Sequence, residues 1–175
     1  MSDKLYLTYN QIQDDVRNLA IKSDEFNADL IIAIGGGGLI PARILQTYQK
    51  LPIYTVTLKS YSQGSTESQG NIIVKQWLDN PDIIRNKRVL IVDEIHDTGA
   101  TIAYWVKKIN ESDPEAVAVG VVHWKNREKS IGIHSTIPFY VGRNVPNKWV
   151  VYPWEEGGKL VETSDSSGKT DTAGI

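Results

Sequence analysis

Nine consecutive residues, Asp93-Glu94-Ile95-His96-Asp97-Thr98-Gly99-Ala100-Thr101, gather three carboxylates and two hydroxyls in one short stretch. Asp93 and Glu94 are adjacent acceptors, and vicinal sugar hydroxyls are natural partners for such a pair. A divalent ion with oxygen ligands can share them. Thr98 and Thr101 add hydroxyl donors, and Gly99 lets the backbone come close to a ligand. If a helix starts near Gly99, its first unpaired N–H groups favour a phosphate, helped by the helix dipole. Hydroxyl acceptors at one end and phosphate donors at the other describe a cradle for a ribose 5-phosphate. His96 stands between them and is expected to be a loop residue rather than a catalyst.

Such a cradle has to be held by regular elements. Arg88-Val89-Leu90-Ile91-Val92 is a short apolar run that reads as a buried strand ending at the acids. After Gly99, the residues Ile102, Trp105, Val106 and Ile109 recur three, four and seven apart, the stripe of a helix running to about 112. The same grammar appears earlier. Thr8 followed by Gln11 is a capping box, and Ile12, Val16, Leu19 and Ala20 continue a helix over about 9–25. The run 29–34 is apolar throughout and stops at Gly35-Gly36-Gly37-Gly38, after which Pro41 suits a first helical turn. Strands are expected at 53–58, 71–77, 116–122 and 138–141. Strands alternating with helices imply an α/β domain with a mostly parallel central sheet flanked by helices. Ligands of such sheets sit beyond the carboxyl ends of the strands, where Asp93 and Glu94 are expected.

Three other segments could serve that site. Gly35, Gly36, Gly37 and Gly38 link a strand to a helix, where exposed N–H groups could meet a second anionic group. The polar stretch 59–70, opening with Ser60 and Tyr61, has no apolar periodicity and reads as a long mobile loop. The segment Val145-Pro146-Asn147-Lys148-Trp149-Val150-Val151-Tyr152-Pro153-Trp154-Glu155-Glu156 is aromatic and punctuated by proline.

The stretch around Asp93 closely resembles the binding motif for phosphoribosyl pyrophosphate (PRPP) of type I phosphoribosyltransferases: four apolar residues, two acids, a short variable gap, then Asp-Thr-Gly-x-Thr. Many purine enzymes have Glu before Asp here, whereas this chain has Asp before Glu. The run 30–45, with Gly38-Leu39-Ile40-Pro41-Ala42-Arg43, is similar to that of fungal hypoxanthine-guanine and xanthine phosphoribosyltransferases. Some bacterial relatives carry arginine where this chain has Gly36. The segment 145–156 resembles the base-binding hood of the 6-oxopurine branch, which often carries Lys-Trp and Tyr-Pro-Trp-Glu.

The resemblance implies a type I phosphoribosyltransferase fold with a small C-terminal hood at about 138–156. It implies transfer of ribose 5-phosphate from PRPP to hypoxanthine, guanine or xanthine, giving a nucleoside monophosphate and pyrophosphate with Mg2+. By the same token Asp93 and Glu94 would bind the ribose hydroxyls, and residues Asp97, Thr98, Gly99, Ala100 and Thr101 the 5-phosphate. Asp97 would also be the general base. Gly35 to Gly38 would form the pyrophosphate loop, and Ser60 and Tyr61 the start of a closing loop. Trp149 would stack on the purine, Val150 would meet its edge, and Glu155 would lie near its C2 substituent or the metal. The metal would be shared by Asp93, Glu94 and Glu155. Lys125 or Lys129 would donate to the purine O6. Related proteins are commonly dimers or tetramers, so a homodimer or homotetramer is expected. A non-catalytic regulator of the same fold, binding PRPP or nucleotides, is the alternative.

Composition limits what else the chain could be. It has 175 residues, a formal net charge of −2 and no cysteine. That length suggests one domain, here expected over 1–162, with a polar tail at 163–175 that cannot bury enough apolar area to order. The absence of cysteine excludes disulfides, thiolate zinc sites and a cysteine nucleophile. A near-neutral balance argues against a general nucleic-acid binder. No stretch approaches the ~20 apolar residues of a membrane span, and Asp3 stands where a secretory signal would be basic or apolar, so a cytoplasmic protein is expected.

Overall fold

The structure is a computed structural model that describes residues 4–60, 72–125 and 136–155. Tyr61, Lys129 and the tail at 163–175 lie outside the described residues. A six-stranded sheet runs through the centre. In chain order its strands are β2 (Leu30–Ile34), β3 (Ile53–Ser60), β4 (Ile72–Gln76), β5 (Arg88–His96), β6 (Ala116–Lys125) and β7 (Phe139–Val145), and in space the order is β4-β3-β2-β5-β6-β7. All neighbours pair in parallel except β3 with β4, which are antiparallel. The expected mostly parallel α/β sheet is therefore present.

Helices cover both faces, as parallel strands buried on two sides require. The helices α1 (Tyr9–Ser23) and α2 (Leu39–Gln49) put Ile12, Val16, Ala42 and Leu45 against Ile31, Ala33, Leu90 and Val92. The third helix, α3 (Ala100–Asn110), packs Ile102, Trp105, Val106 and Ile109 on the opposite face, against Ile32, Val89, Ile91 and Val119. The capping box of α1 is made in full. The Gln11 N–H donates to Thr8 Oγ1 at 3.3 Å, and the Thr8 N–H donates to Gln11 Oε1 at 3.0 Å.

A second, two-stranded sheet was not foreseen. β1 (Lys4–Tyr6) pairs in parallel with β8 (Trp149–Val151), with Leu5 opposite Val150. The hood is thus built jointly by the two ends of the described chain. Two strands also run further than the apolar pattern suggests. β5 does not stop at Val92 but continues through Asp93 to His96, and β6 continues to Lys125. The two pair through this stretch, Ile95 opposite His123 and His96 opposite Trp124, and β6 also pairs with β7, Lys125 opposite Val145.

Candidate active site

The extension of β5 changes where the acids sit. Asp93 is buried near the strand's carboxyl end, at 8% exposure, instead of projecting from a free tip. Burial holds its carboxyl well above the usual carboxylate range. The neighbouring Glu94 carboxyl pushes it the same way through a side-chain hydrogen bond and like charge. A smaller opposing pull comes from the Glu94 N–H, which donates to Asp93 Oδ1 at 3.0 Å.

Glu94 reaches across to the glycine loop. A Cβ added at Gly37 would fall on the Glu94 carboxyl, so only glycine leaves that carboxyl its place. Gly36 has φ +96°, a backbone that favours glycine over the arginine of some relatives. The loop is anchored behind by Gly35 N–H donating to the Val56 carbonyl at 2.6 Å and Gly38 N–H to the Ile34 carbonyl at 3.0 Å. One oxygen of Glu94, Oε2, is buried without a hydrogen-bond partner.

Past the acids the chain turns into α3. Gly99 occupies the cap of that helix, and the Ala100 N–H lies 3.4 Å from Thr98 Oγ1. Thr98 and Ala100 are exposed, Asp97 and Thr101 half-buried, and Gly99 buried. At the end of β6, Lys125 Nζ donates to Asp97 Oδ2 at 2.9 Å. The same ammonium sits 5.9 Å from the centroid of the Trp149 ring, which is 63% exposed. A carboxylate, an ammonium and an open aromatic face therefore meet at one point, beside a glycine loop and a pair of acids.

The family profile of the phosphoribosyl transferase domain matches residues 6–157. The chain belongs to the phosphoribosyltransferase family. It is 36% identical to the hypoxanthine-guanine phosphoribosyltransferase of Schizosaccharomyces pombe, over 93% of each chain. It is 30% identical to xanthine phosphoribosyltransferase 1 of Saccharomyces cerevisiae, over 88% of this chain and 90% of that one. Among solved structures, a hypothetical protein from Neisseria gonorrhoeae with bound ppGpp superposes with a TM-score of 0.81 at 36% identity, covering 90% and 92% of the two chains. The purine phosphoribosyltransferase from Pyrococcus horikoshii superposes with a TM-score of 0.72 at 26% identity, covering 90% and 97%.

One expected placement in this phosphoribosyltransferase fails, that of His96 in a loop. Among the described residues, no three His, Asp or Glu side chains are arranged to hold a metal ion, so Asp93, Glu94 and Glu155 do not form a ready-made nest. Glu155 instead turns its carboxylate back, where Oε2 accepts from the Tyr152 N–H at 3.3 Å. Burial raises the Glu155 carboxyl above its ordinary value; that N–H lowers it, and the charge of Glu94 raises it. His96 is not a loop residue. It ends β5, is buried, and packs 4.9 Å from the Trp124 ring and 5.3 Å from that of Phe139. Val150 lies on β8 with its side chain buried and one edge of the strand taken by β1. Ser60 is the last residue of β3.

Sequence reasoning gave no role to Asp15, His123 or Tyr152, all three buried next to this phosphoribosyltransferase site. One signal was available. Asp15 falls beside Ile12, Val16 and Leu19 on the apolar stripe of α1, where an acid needs a buried partner.

Proposed function

We propose that this phosphoribosyltransferase transfers ribose 5-phosphate from PRPP to a 6-oxopurine and releases pyrophosphate and a purine nucleoside monophosphate. The meeting of Lys125, Asp97 and Trp149 at the ends of β5 and β6 carries this reading. A purine laid on Trp149 gains stacking of about 1–3 kcal/mol by analogy with base–aromatic platforms. The ammonium of Lys125, an N–H donor beside that ring, suits the purine O6. When Lys125 turns to O6, Asp97 is released from its 2.9 Å ion pair and can take a purine proton. Names of the relatives from both yeasts support a purine acceptor. The ppGpp bound to the Neisseria protein, a guanosine nucleotide with two diphosphates, suits a purine platform flanked by phosphate loops.

In the reaction a purine nitrogen attacks C1 of the ribose and the C1–oxygen bond to pyrophosphate breaks. The electron pair leaves with pyrophosphate, and the proton from the purine goes to Asp97. Asp93 and Glu94 would hold the ribose hydroxyls, and residues 97–101 the 5-phosphate. Gly35 to Gly38 would meet the leaving group. Magnesium, when bound, offsets the charge of the departing diphosphate. The unpartnered Oε2 of Glu94 and the carboxyl of Asp93 are the oxygen donors that would hold it.

The purine is identified by competition. The chain is incubated with PRPP, Mg2+ and equal amounts of hypoxanthine, guanine and xanthine, and the nucleotides formed are separated. At least one of the three monophosphates is expected. PRPP binding with no monophosphate formed would make the chain a regulator of the same fold.

A further inference from the structure

A polar chain, buried except at its Arg143 end, runs beneath the site and ends on it. Arg143 Nε donates to Asp15 Oδ2 at 2.9 Å, and His123 Nε2 lies 2.9 Å from that same oxygen. On the other side of the ring, His123 Nδ1 is 2.7 Å from the Tyr152 hydroxyl. That hydroxyl donates to the backbone carbonyl of Glu94 at 3.2 Å. Four elements each supply one member: β7, α1, β6 and the hood. The outer end is held firmly, because a Cβ at Gly142 would strike the Asp15 carbonyl and Lys22 Nζ donates to the Val141 carbonyl at 2.6 Å.

This chain is an unusual way to fill a core. Asp15, His123 and Tyr152 are 5%, 0% and 2% exposed. A buried polar group costs free energy unless paired, and apolar residues of the same volume stabilise as well or better. What hydrogen bonds add is direction. The chain fixes the Tyr152 hydroxyl against the peptide of Glu94, while Trp149 and Glu155 stand three residues to either side of Tyr152. The Tyr152 ring also stacks on Trp154 at 4.8 Å. Burial, with the charges of Glu94, Asp93, Glu155 and Asp15 around it, pushes the phenol far up, so its proton is always present to be donated.

We propose that Arg143, Asp15, His123 and Tyr152 lock the base platform onto the ribose acids, with Tyr152 and His123 as positioning residues that set the affinity for the purine ring. The inference rests on the transferase reading above. Neither residue touches the reacting atoms. Each acts through the hood, so the purine is the ligand that feels its loss.

Tyr152→Phe removes only the hydroxyl. It is expected to raise the purine KM about tenfold, the usual effect of one lost buried hydrogen bond, with PRPP KM within about twofold. His123→Asn keeps a polar group where Nδ1 faces Tyr152, whereas His123→Gln keeps one where Nε2 faces Asp15. Purine KM is expected nearer to wild type in His123→Asn than in His123→Gln. A merely structural role would lower melting temperature and active fraction while leaving both KM values in place. GMP affinity by calorimetry is measured in parallel, with the same ranking expected. An unchanged purine KM in Tyr152→Phe, or purine and PRPP KM rising together, overturns the proposal. If Tyr152→Phe does not fold, the two His123 variants decide, and equal purine KM in both overturns it. A wild-type chain that binds GMP yet releases no pyrophosphate sinks the transferase reading alone, and the GMP affinities of the variants then judge the chain. Wild type binding neither PRPP nor GMP overturns both.

Discussion

Ionising a carboxyl that is buried beside another carboxyl is costly, and Asp93 is in that position. Between the ordinary carboxylate range and the raised value, the folded state binds more protons at Asp93 than the unfolded state does. Stability must then fall as pH rises through that window. Asp93→Asn keeps an oxygen to accept the Glu94 N–H and removes the charge. The variant is expected to be more stable than wild type at neutral pH in urea unfolding. Its advantage should shrink as pH approaches the ordinary aspartate value of about 3.9. A difference that stays flat with pH would contradict this. The identity of Asp93, Glu94 and Asp97 was legible because the motif is contiguous. The buried state of Asp93 was not, since it depends on β6 alongside. His123 and Asp15 were illegible for a related reason: they lie 108 residues apart and meet only in the fold.

At the scale of elements, the glycine loop separates two kinds of cost. Gly36 has open space where a Cβ would go but an unfavourable φ, so Gly36→Ala should lower folding stability by about 1 kcal/mol. At Gly37 the Cβ would displace Glu94, an overpacking worth ~1–3 kcal/mol that falls on the proposed ribose acceptor. Gly37→Ala is therefore expected to raise PRPP KM about tenfold while purine KM stays near wild type. Equal effects of the two substitutions on PRPP KM would count against Glu94 as a ribose acceptor. The strand–glycine–helix unit itself could be read from its pattern, because an apolar run stopped by four glycines leaves few alternatives. The ends of β5 and β6 could not. Polar residues from Asp93 to His96 and from His123 to Lys125 break the apolar pattern, and pairing of β6 with β5 on one side and with β7 on the other keeps them extended.

Over the whole molecule, the parallel order β3-β2-β5-β6-β7 brings the glycine loop, the acids and Lys125 to one side of the sheet. That much follows from alternating strands and helices, and the sequence pattern carried it. The two-stranded sheet of β1 with β8 was invisible, since strands of three residues show no periodicity and their partners are 145 positions apart in register. It matters because it holds Trp149 on a paired strand, 5.9 Å from the Lys125 ammonium at the carboxyl end of β6. The account turns on Asp97 as the proton acceptor in transfer to a purine. The direct measurement is pyrophosphate release from PRPP and Mg2+ with the preferred purine, by wild type and by Asp97→Asn, alongside PRPP affinity for both. Wild type is predicted to release pyrophosphate only when the purine is present, and Asp97→Asn to lose about 100–10,000-fold in turnover with PRPP affinity kept. Normal turnover in Asp97→Asn would contradict the assignment.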